Sequence, residues 1–318
     1  MTDNELVIKE SNEFTQSLSL DNKQFIYNSV AASTRRVYRS DFNIFREWCE
    51  ARNLQWMPAF PQSISEFLTC QAIAGIKPAT LIRRVAAIKM AHIAFNCPDS
   101  TNHYVVKNTM KGIKRTYGML QTKKAPITVE RLESMIANCP DSLIGLRDKA
   151  LLLLGFAGAF RRSELVSISL NDLERTPEGI KILIRKSKTD QEGKGQTIAI
   201  LNGTKFRVVD NLSKWIHKAG ITDGFIFRRI RKGNSVQTKP LTPHAVAEIV
   251  KKYAMLAGLT IESFSGHSLR SGFITSGAQA GADLIKLMEV SRHKKTDTLL
   301  GYVRVSKLFE NHAGEKFL

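Results

Sequence analysis

Cysteine is scarce in this chain, and its spacing argues against a metal centre. The 318 residues include four cysteines, Cys49, Cys70, Cys97 and Cys139, and no two of them stand in the C-x-x-C spacing of a metal pair. We therefore expect no zinc site, and no other metal or cofactor is predicted. The opening residues lack the basic stretch of an export signal. With so few cysteines, this predicts a cytoplasmic protein.

Long hydrophobic runs are absent as well. The longest apolar stretch near the middle of the chain is ALLLLGFAGAF, at residues 150–160. It is too short to span a bilayer, so it predicts a buried helix and no membrane partner. The sequence also shows no internal repeats and no low-complexity tracts.

Acidic residues are few relative to basic ones. The chain has 29 Asp and Glu against 47 Lys and Arg, which gives a net charge of +18 at pH 7. Such an excess predicts an anionic partner, most often nucleic acid, although a merely soluble basic protein is the simpler alternative. The apolar fraction of 43% is ordinary for a folded protein, and the length favours two domains.

The order of helical and strand-like patterns predicts where these domains lie. We expect a flexible lead-in at residues 1–24, a helical domain at 25–117, a linker at 118–128 and a second domain at 129–318. The second domain begins with helices and then carries two β-prone runs, IKILIRKSK and TIAIL, around a glycine-containing loop. These runs predict a hairpin. The predicted fold class is therefore mainly α, with an all-helical first domain and an α+β second domain containing a small antiparallel sheet.

The predicted helices of the first domain carry basic residues away from their apolar stripes. Residues 26–120 contain 13 basic and 5 acidic residues, a net charge of +8. Solvated surface charge is the simpler interpretation, but several helices with the same sign favour a surface that tracks phosphates. The candidate DNA-binding residues are Arg35, Arg36, Arg39, Arg83, Arg84, Lys89, Lys111, Lys114 and Arg115.

Four separated clusters in the second domain suggest attack on a phosphodiester. They are Arg161 with Glu164, the hairpin lysines Lys186 and Lys188, His267 with Arg270, and His293 with Tyr302. Two arginines can clamp the phosphate oxygens and stabilise a pentavalent transition state. A tyrosine hydroxyl can attack once it loses its proton, and histidine or lysine can move the protons that this chemistry requires. Because the sequence shows no cluster of carboxylates that could bind magnesium, we expect the reaction to need no metal.

Each cluster taken alone has a simpler explanation. An Arg-x-x-Glu pair is usually a surface ion pair, a lone histidine near a helix end is usually structural, and a lone tyrosine usually packs in a core. The order, residue types and spacing of the clusters together carry the prediction.

In that order, the residues resemble the tyrosine recombinase (phage integrase) family. GHSLRSG is similar to its His-x-x-Arg box, and HKKTDTLLGYVR is similar to its His-to-Tyr segment. STRRVYRSDFNIFREWCEARN resembles the opening helix of its SAM-like core-binding domain. The resemblance covers nearly all of residues 25–318 and implies a simple two-domain member of the Cre/Xer kind.

The resemblance implies a role for each site residue. Arg161 and Arg270 would bind the scissile phosphate. Tyr302 would attack it and form a 3′-phosphotyrosine. His267 would act as acid and base. The remaining roles are a phosphate hydrogen bond from His293, support of the site by Glu164 and protonation of the leaving 5′-oxygen by Lys188.

Two features leave alternatives open. Lys186 and Lys188 point to the same side of a strand, because side chains two residues apart share a face. The family pattern favours Lys188, while a slip of one pleat would select Lys186. Ser271 also departs from family versions that have a basic residue after the arginine, which puts further phosphate contacts in doubt.

The implied function is site-specific DNA recombination without metal or ATP. The implied partners are double-stranded DNA with inverted-repeat sites and further copies of the chain, a dimer on each site and a tetramer at synapsis; any accessory protein stays open. Two other functions remain possible: DNA relaxation of the type IB topoisomerase kind, and DNA binding without catalysis. The last stretch, VSKLFENHAGEKFL, is predicted to form a short helix that docks on a neighbouring subunit or on its own domain.

Overall fold

The chain is described here by a computed structural model that covers residues 19–120, 124–185, 190, 195–306 and 315. It divides into two compact units, with the boundary between Thr122 and Lys123. The predicted fold class is confirmed: both units are mainly helical, and the second also contains small antiparallel sheets. The predicted C-terminal helix falls almost entirely outside the described residues.

The first unit is helical throughout its described residues apart from turns and loops. Its α-helices are α1 Leu20–Asn28, α2 Ala32–Glu50, α3 Pro61–Ile73, α4 Pro78–Ala94 and α5 Tyr104–Tyr117. The first of them begins inside the segment predicted to be a flexible lead-in. Helices α3 and α4 both begin with proline, whose fixed φ suits the first helical turn and whose missing N–H is not needed there.

Amphipathic helices form the core of the first unit. Phe42, Phe45 and Cys49 of α2 recur at helical spacing and are buried along one stripe. Phe45 packs edge-on against Phe67 of α3, with ring centroids 5.1 Å apart. Burial of these rings supplies the main stabilisation, because the hydrophobic effect scales with the apolar area removed from water.

The second unit begins with three helices and three strands, continues with one helix and two further strands, and ends with helices. The elements are α6 Val129–Ala137, α7 Leu143–Ala157, α8 Arg162–Ser167, β1 Leu173–Thr176, β2 Gly179–Ile184, β3 Gln196–Leu201, α9 Val208–Lys218, β4 Arg228–Arg231, β5 Ser235–Pro240, α10 Pro243–Leu256, α11 Ser268–Gln279, α12 Leu284–Ser291 and α13 Thr296–Ser306.

Helix α7 forms the centre of the second unit. Its residues Leu151–Leu154 are almost fully buried on every side, which explains why this apolar run shows no polar face. The helix ends at Ala157, and Ala159 then adopts a left-handed conformation with φ 45°. Among the described residues, no helix is long and apolar enough to cross a membrane.

Strands β1, β2 and β3 form an antiparallel sheet in that order. Along β2, Ile180, Ile182 and Ile184 are buried while Lys181 is exposed, so alternation places one face on the core. The β2–β3 pair matches the predicted hairpin. Strand β1 and the separate β4–β5 hairpin were not predicted, because both are short and rich in charged residues.

Candidate active site

Arg161 and Glu164 lie where helix α8 begins, directly after the turn that ends α7. The carboxylate of Glu164 accepts a hydrogen bond from the backbone N–H of Arg161 at 2.9 Å and one from its Nη1 at 2.6 Å. The side chain of Glu164 is 1% exposed and that of Arg161 is 19% exposed. This capping arrangement fixes the direction of a partly exposed guanidinium.

His267 and Arg270 lie on the first turn of helix α11, as their spacing of three predicted. Close backbone packing sets the position of this helix. A Cβ at Gly272 would lie 1.8 Å from the carbonyl oxygen of Ile127, so only glycine allows the approach, and the N–H of Ile127 donates to the carbonyl of Ser268. Arg270 is buried, and its Nη1 donates to the carbonyl of Ala159 at 2.8 Å.

His293 follows helix α12 and meets Arg270. The Nη2 of Arg270 lies 3.3 Å from Nδ1 and 3.4 Å from Nε2 of His293, and the hydroxyl of Ser291 lies 2.8 Å from Nδ1. Burial, together with the positive charges of Arg270 and Arg161, lowers the pKa of His293 to about 4. The ring is therefore neutral at physiological pH.

Tyr302 lies on helix α13 and contacts His267. Its hydroxyl oxygen is 3.3 Å from Nε2 of His267. Burial raises the pKa of Tyr302, and the charge of Arg270 lowers it by less. Partial burial of the ring lowers the pKa of His267, and the charge of Arg270 lowers it further. The hydroxyl thus keeps its proton at neutral pH, and the neighbouring imidazole is neutral and able to accept it.

Six of the seven predicted site residues thus lie in one cluster. Contacts join His267 to Tyr302 and Arg270 to His293, and the charge of Arg161 acts on both His267 and Arg270. Arg161, Glu164, His267, Arg270, His293 and Tyr302 come from three separate parts of the second unit. Lys188 and its alternative Lys186 lie outside the described residues. Within the described part of the chain, no group of three or more His, Cys, Asp or Glu side chains is arranged to hold a metal ion.

Sequence reasoning missed one residue of the cluster, Arg292. It is buried, and its Nη2 donates to the Glu164 carboxylate at 2.9 Å. Burial raises the pKa of Glu164, but the charge of Arg292 and the hydrogen bonds from Arg161 outweigh that effect and hold the pKa below its usual value. The sequence showed Arg292 only as an arginine directly before a candidate histidine. A sequence pattern alone does not distinguish such an arginine from an exposed surface cation.

The predicted DNA-binding residues of helix α5 are on its solvent side. Lys111, Lys114 and Arg115 are exposed, whereas Val106 and Ile113 face the core. Three cations one turn apart thus form a compact basic face. Arg36 on α2 is likewise exposed.

Other basic residues of the first unit have partners inside it. Arg35 lies over the ring of Tyr27 and donates to its carbonyl at 2.6 Å. Lys89 pairs with Asp99 at 3.2 Å. The predicted residue Arg39 is half-buried.

Arg83 and Arg84 share the buried carboxylate of Asp41. Arg83 reaches it at 2.6 Å and stays 47% exposed. Arg84 differs from the expected exposed cation: it is 7% exposed, pairs with Asp41 at 3.8 Å and hydrogen-bonds Gln71. Two arginines that are adjacent in the sequence of a helix thus differ in burial. Arg83 stays partly exposed, and Arg84 is buried in the core.

A basic hairpin in the second unit also escaped the sequence analysis. Arg229 and Arg231 on β4, Lys232 in the turn and Lys239 on β5 are all exposed. Arg228, two residues before Ile230, is instead buried and donates to the carbonyl of Phe225 at 2.7 Å. Arg229 and Arg231 are thus exposed on either side of the half-buried Ile230.

Comparisons with known proteins show which family the chain belongs to. The sequence signature of the phage integrase family matches residues 126–308. The chain is 40% identical to an integrase/recombinase described as a XerD homologue from Selenomonas ruminantium, over 98% of this chain and 93% of that protein. It is 24% identical to the recombinase Cre of Escherichia phage P1, over 81% of this chain and 79% of Cre.

Solved structures share the fold. The XerH site-specific recombinase, in a post-cleavage complex with a palindromic difH substrate, matches with a TM-score of 0.66 and 18% identity over 99% of this chain and 90% of XerH. A lambda integrase dimer bound to a core site matches with a TM-score of 0.53 and 16% identity over 89% of this chain and 93% of the integrase chain. The chain therefore belongs to the phage integrase family and is a site-specific tyrosine recombinase.

Proposed function

We propose that Tyr302 is the nucleophile of this recombinase and that it attacks a DNA phosphodiester held by Arg161 and Arg270. The observation that carries the proposal is the contact of the Tyr302 hydroxyl with Nε2 of His267, 3.3 Å away. This contact lies beside two guanidinium groups that are fixed by protein acceptors. A nucleophile, a base in hydrogen-bond reach and a phosphate clamp are the parts that metal-free phosphoryl transfer requires.

The proton movements follow from the charge states. Neutral His267 accepts the proton of Tyr302 as its oxygen bonds to phosphorus and the bond to the 5′-oxygen breaks. The products are a 3′-phosphotyrosine and a DNA strand with a 5′-hydroxyl, once the leaving oxygen gains a proton. We assign that proton to Lys188, with Lys186 as the alternative. His293 donates a hydrogen bond to the phosphate, and Glu164 holds Arg161 in place.

The proposed substrate is double-stranded DNA with inverted-repeat sites, bound by a dimer on each site and by a tetramer at synapsis. The net charge of +18 and the basic faces of α5 and the β4–β5 hairpin support an electrostatic grip on phosphates. The XerH relative was solved on a palindromic DNA substrate, and lambda integrase as a dimer on its core site. The reaction is proposed to take place on DNA in the cytoplasm, without metal or ATP.

Covalent capture tests the proposal. Wild-type protein and Tyr302→Phe are incubated with nicked duplexes taken from the DNA that flanks the gene, and then denatured with detergent. We expect a protein–DNA adduct at one position for the wild type and none for the variant, because phenylalanine has no oxygen to join to phosphorus. The Kd for DNA should change less than about threefold, since this substitution leaves the charge of the clamp intact.

The alternatives predict other outcomes. An adduct that persists in Tyr302→Phe would assign the nucleophile to another residue. Intact DNA binding with no adduct from either protein, on every duplex tried, would favour a DNA-binding protein without catalysis and overturn the proposed chemistry.

A further inference from the structure

Arg292 occupies an unusual backbone position. It follows helix α12, directly before His293, with φ 57° and ψ 41°. A side chain larger than glycine is uncommon in this left-handed region and is kept there only when other contacts hold it. Arg292 is nevertheless 5% exposed, so its contacts lie inside the protein.

The guanidinium of Arg292 binds the segment that leads into the active site. Its Nη1 donates to the carbonyl of Gly158 at 3.0 Å, and its Nη2 donates to the carbonyl of Ala159 at 3.0 Å and to Glu164 at 2.9 Å. The group also lies over the ring of Phe160, with its carbon 5.1 Å from the centroid. A planar fork of donors suits several acceptors at once, which an ammonium group on the same stem does not.

Arg292 shares its acceptors with both arginines of the phosphate clamp. The carbonyl of Ala159 also accepts from Nη1 of Arg270 at 2.8 Å. The second oxygen of Glu164 accepts from Nη1 of Arg161 at 2.6 Å. Two acceptors, the carbonyl of Ala159 and the carboxylate of Glu164, thus bind three guanidinium groups. These groups come from three separate parts of the sequence.

The cluster holds more positive than negative charge. Among the described residues, the carboxylate of Glu164 pairs with Arg161 and Arg292 and also acts on the charge of Arg270. Burial and the charges of Arg161 and Arg292 lower the pKa of Arg270 to about 9, a sign that these guanidinium groups repel one another. An arrangement of like charges needs fixed acceptors to hold it before the anionic phosphate arrives.

We propose that Arg292 is a positioning residue for the cleavage reaction. By holding Glu164 and the carbonyl of Ala159, it sets the separation and direction of Arg161 and Arg270 before DNA binds. The left-handed backbone conformation of Arg292 also places His293 beside Arg270. Arg292 does not touch the phosphate, and its role lies in preorganisation of the groups that do. This inference rests on the proposed function and adds a residue to it.

Three substitutions at this position separate the contributions of side chain and backbone. Arg292→Met keeps much of the stem but no donors, Arg292→Lys keeps the charge without the fork, and Arg292→Gly also relieves the left-handed backbone. The matched control is Arg147→Met. Arg147 is another buried arginine of the second unit, paired with Asp148 at 2.7 Å, and its side chain hydrogen-bonds Asp148 and the carbonyl of Arg228 rather than a site residue.

The measurement is the single-turnover rate of adduct formation on a nicked duplex, at saturating protein and well below the lowest melting temperature. We expect all three Arg292 variants to cleave at least about tenfold more slowly than wild type, since small misplacements of a reacting group have large effects on rate. Their Kd for DNA should stay within about threefold of wild type. Methylguanidinium should restore part of the rate of Arg292→Gly, whereas methylammonium should not.

The control and the wild type distinguish the ways in which the inference can fail. Arg147→Met should lower the melting temperature yet cleave at the wild-type rate, with no response to methylguanidinium. Wild-type rates for Arg292→Met and Arg292→Lys would overturn the inference while leaving the proposed function intact. A wild-type protein that binds DNA and forms no adduct would overturn the proposed function, and this inference with it.

Discussion

Individual residues of the candidate active site have their charge states set by burial and by neighbouring cations. His267 and His293 both have a lowered pKa, and burial is the largest cause in each case. Arg270 lies next to both histidines and adds to the effect, while it reduces the rise in the pKa of Tyr302. The same guanidinium therefore favours a neutral imidazole at His267 and eases ionisation of the Tyr302 hydroxyl, which is the pairing that the proposed proton transfer requires.

This arrangement predicts that the protein loses stability in mild acid. The pKa of His293 is about 4 when folded, against about 6.5 in an unfolded chain. Below about pH 6.5 the unfolded state binds a proton that the folded state excludes. The contribution is therefore fully present above that pH and is lost as the pH falls towards 4. Because the ring is only partly buried, we expect the loss to be about 2 kcal/mol.

Urea denaturation at several pH values checks this prediction. His293→Gln, which does not titrate, should lose less free energy of unfolding than wild type between pH 6.5 and 4.5. All other titrating groups are common to both proteins, so the difference reports His293. Equal losses in the two proteins would contradict the predicted charge state.

Single elements carry the surfaces that we assign to DNA. Helix α5 turns Val106, Met110 and Ile113 to the core, so its lysines are left on the solvent side. Strand β4 of the second unit buries Arg228 and leaves Arg229 and Arg231 exposed. In both elements burial determines which charges can reach a phosphate.

Removal of the α5 cations should weaken DNA binding in a salt-dependent way. In the triple variant Lys111→Ala, Lys114→Ala, Arg115→Ala, the slope of log K against log salt should fall by about 2–3, since each lost phosphate contact lowers it by about 0.9. DNA binding is measured by fluorescence-anisotropy titration at several salt concentrations. The same titration is made with the hairpin variant Arg229→Ala, Arg231→Ala, Lys232→Ala.

A control changes the net charge equally without touching these surfaces. Lys205, Lys214 and Lys251 are surface lysines that each pair with a carboxylate of the second unit. Their triple alanine variant should keep the wild-type salt slope. A slope that falls equally in all three variants would indicate that net charge, and not a particular surface, controls binding.

The whole molecule consists of two units, each with its own hydrophobic core. The cluster of site residues lies entirely in the second unit, and four of the predicted DNA-binding cations of the first unit, Arg35, Arg83, Arg84 and Lys89, have partners within the first unit. Because the basic face of α5 lies in the first unit and the site cluster lies in the second, we expect variants of α5 to change DNA binding without changing the chemistry.

At this scale, recombination is expected to depend on two matching sites. A supercoiled plasmid with two sites should yield a deleted circle, and a plasmid with one site should not, because strands can be exchanged only between paired sites. The products are separated on an agarose gel, with Tyr302→Phe as the inactive control. Rapid relaxation of both plasmids without deletion would favour chemistry of the topoisomerase kind.

Much of the fold and most of the site could be predicted from the sequence. The apolar run of α7, the stripe of α2 and the β2–β3 hairpin are local periodic patterns, and the structure has all three. Arg161 with Glu164, and His267 with Arg270, were predictable because three residues make about one helical turn. Short, charged strands were missed because they carry little hydrophobic periodicity.

The sequence by itself determined the fold class and the charge, and it supplied the candidate site residues, since these depend on composition and on spacing along the chain. Tertiary structure alone decided which cations are buried. Arg84 turns into the core to meet Asp41, and Arg292 crosses to Glu164, 128 residues earlier in the chain. In sequence both resemble surface arginines. Their partners come from distant elements, and a buried cation is identified only by the acceptors that packing places around it.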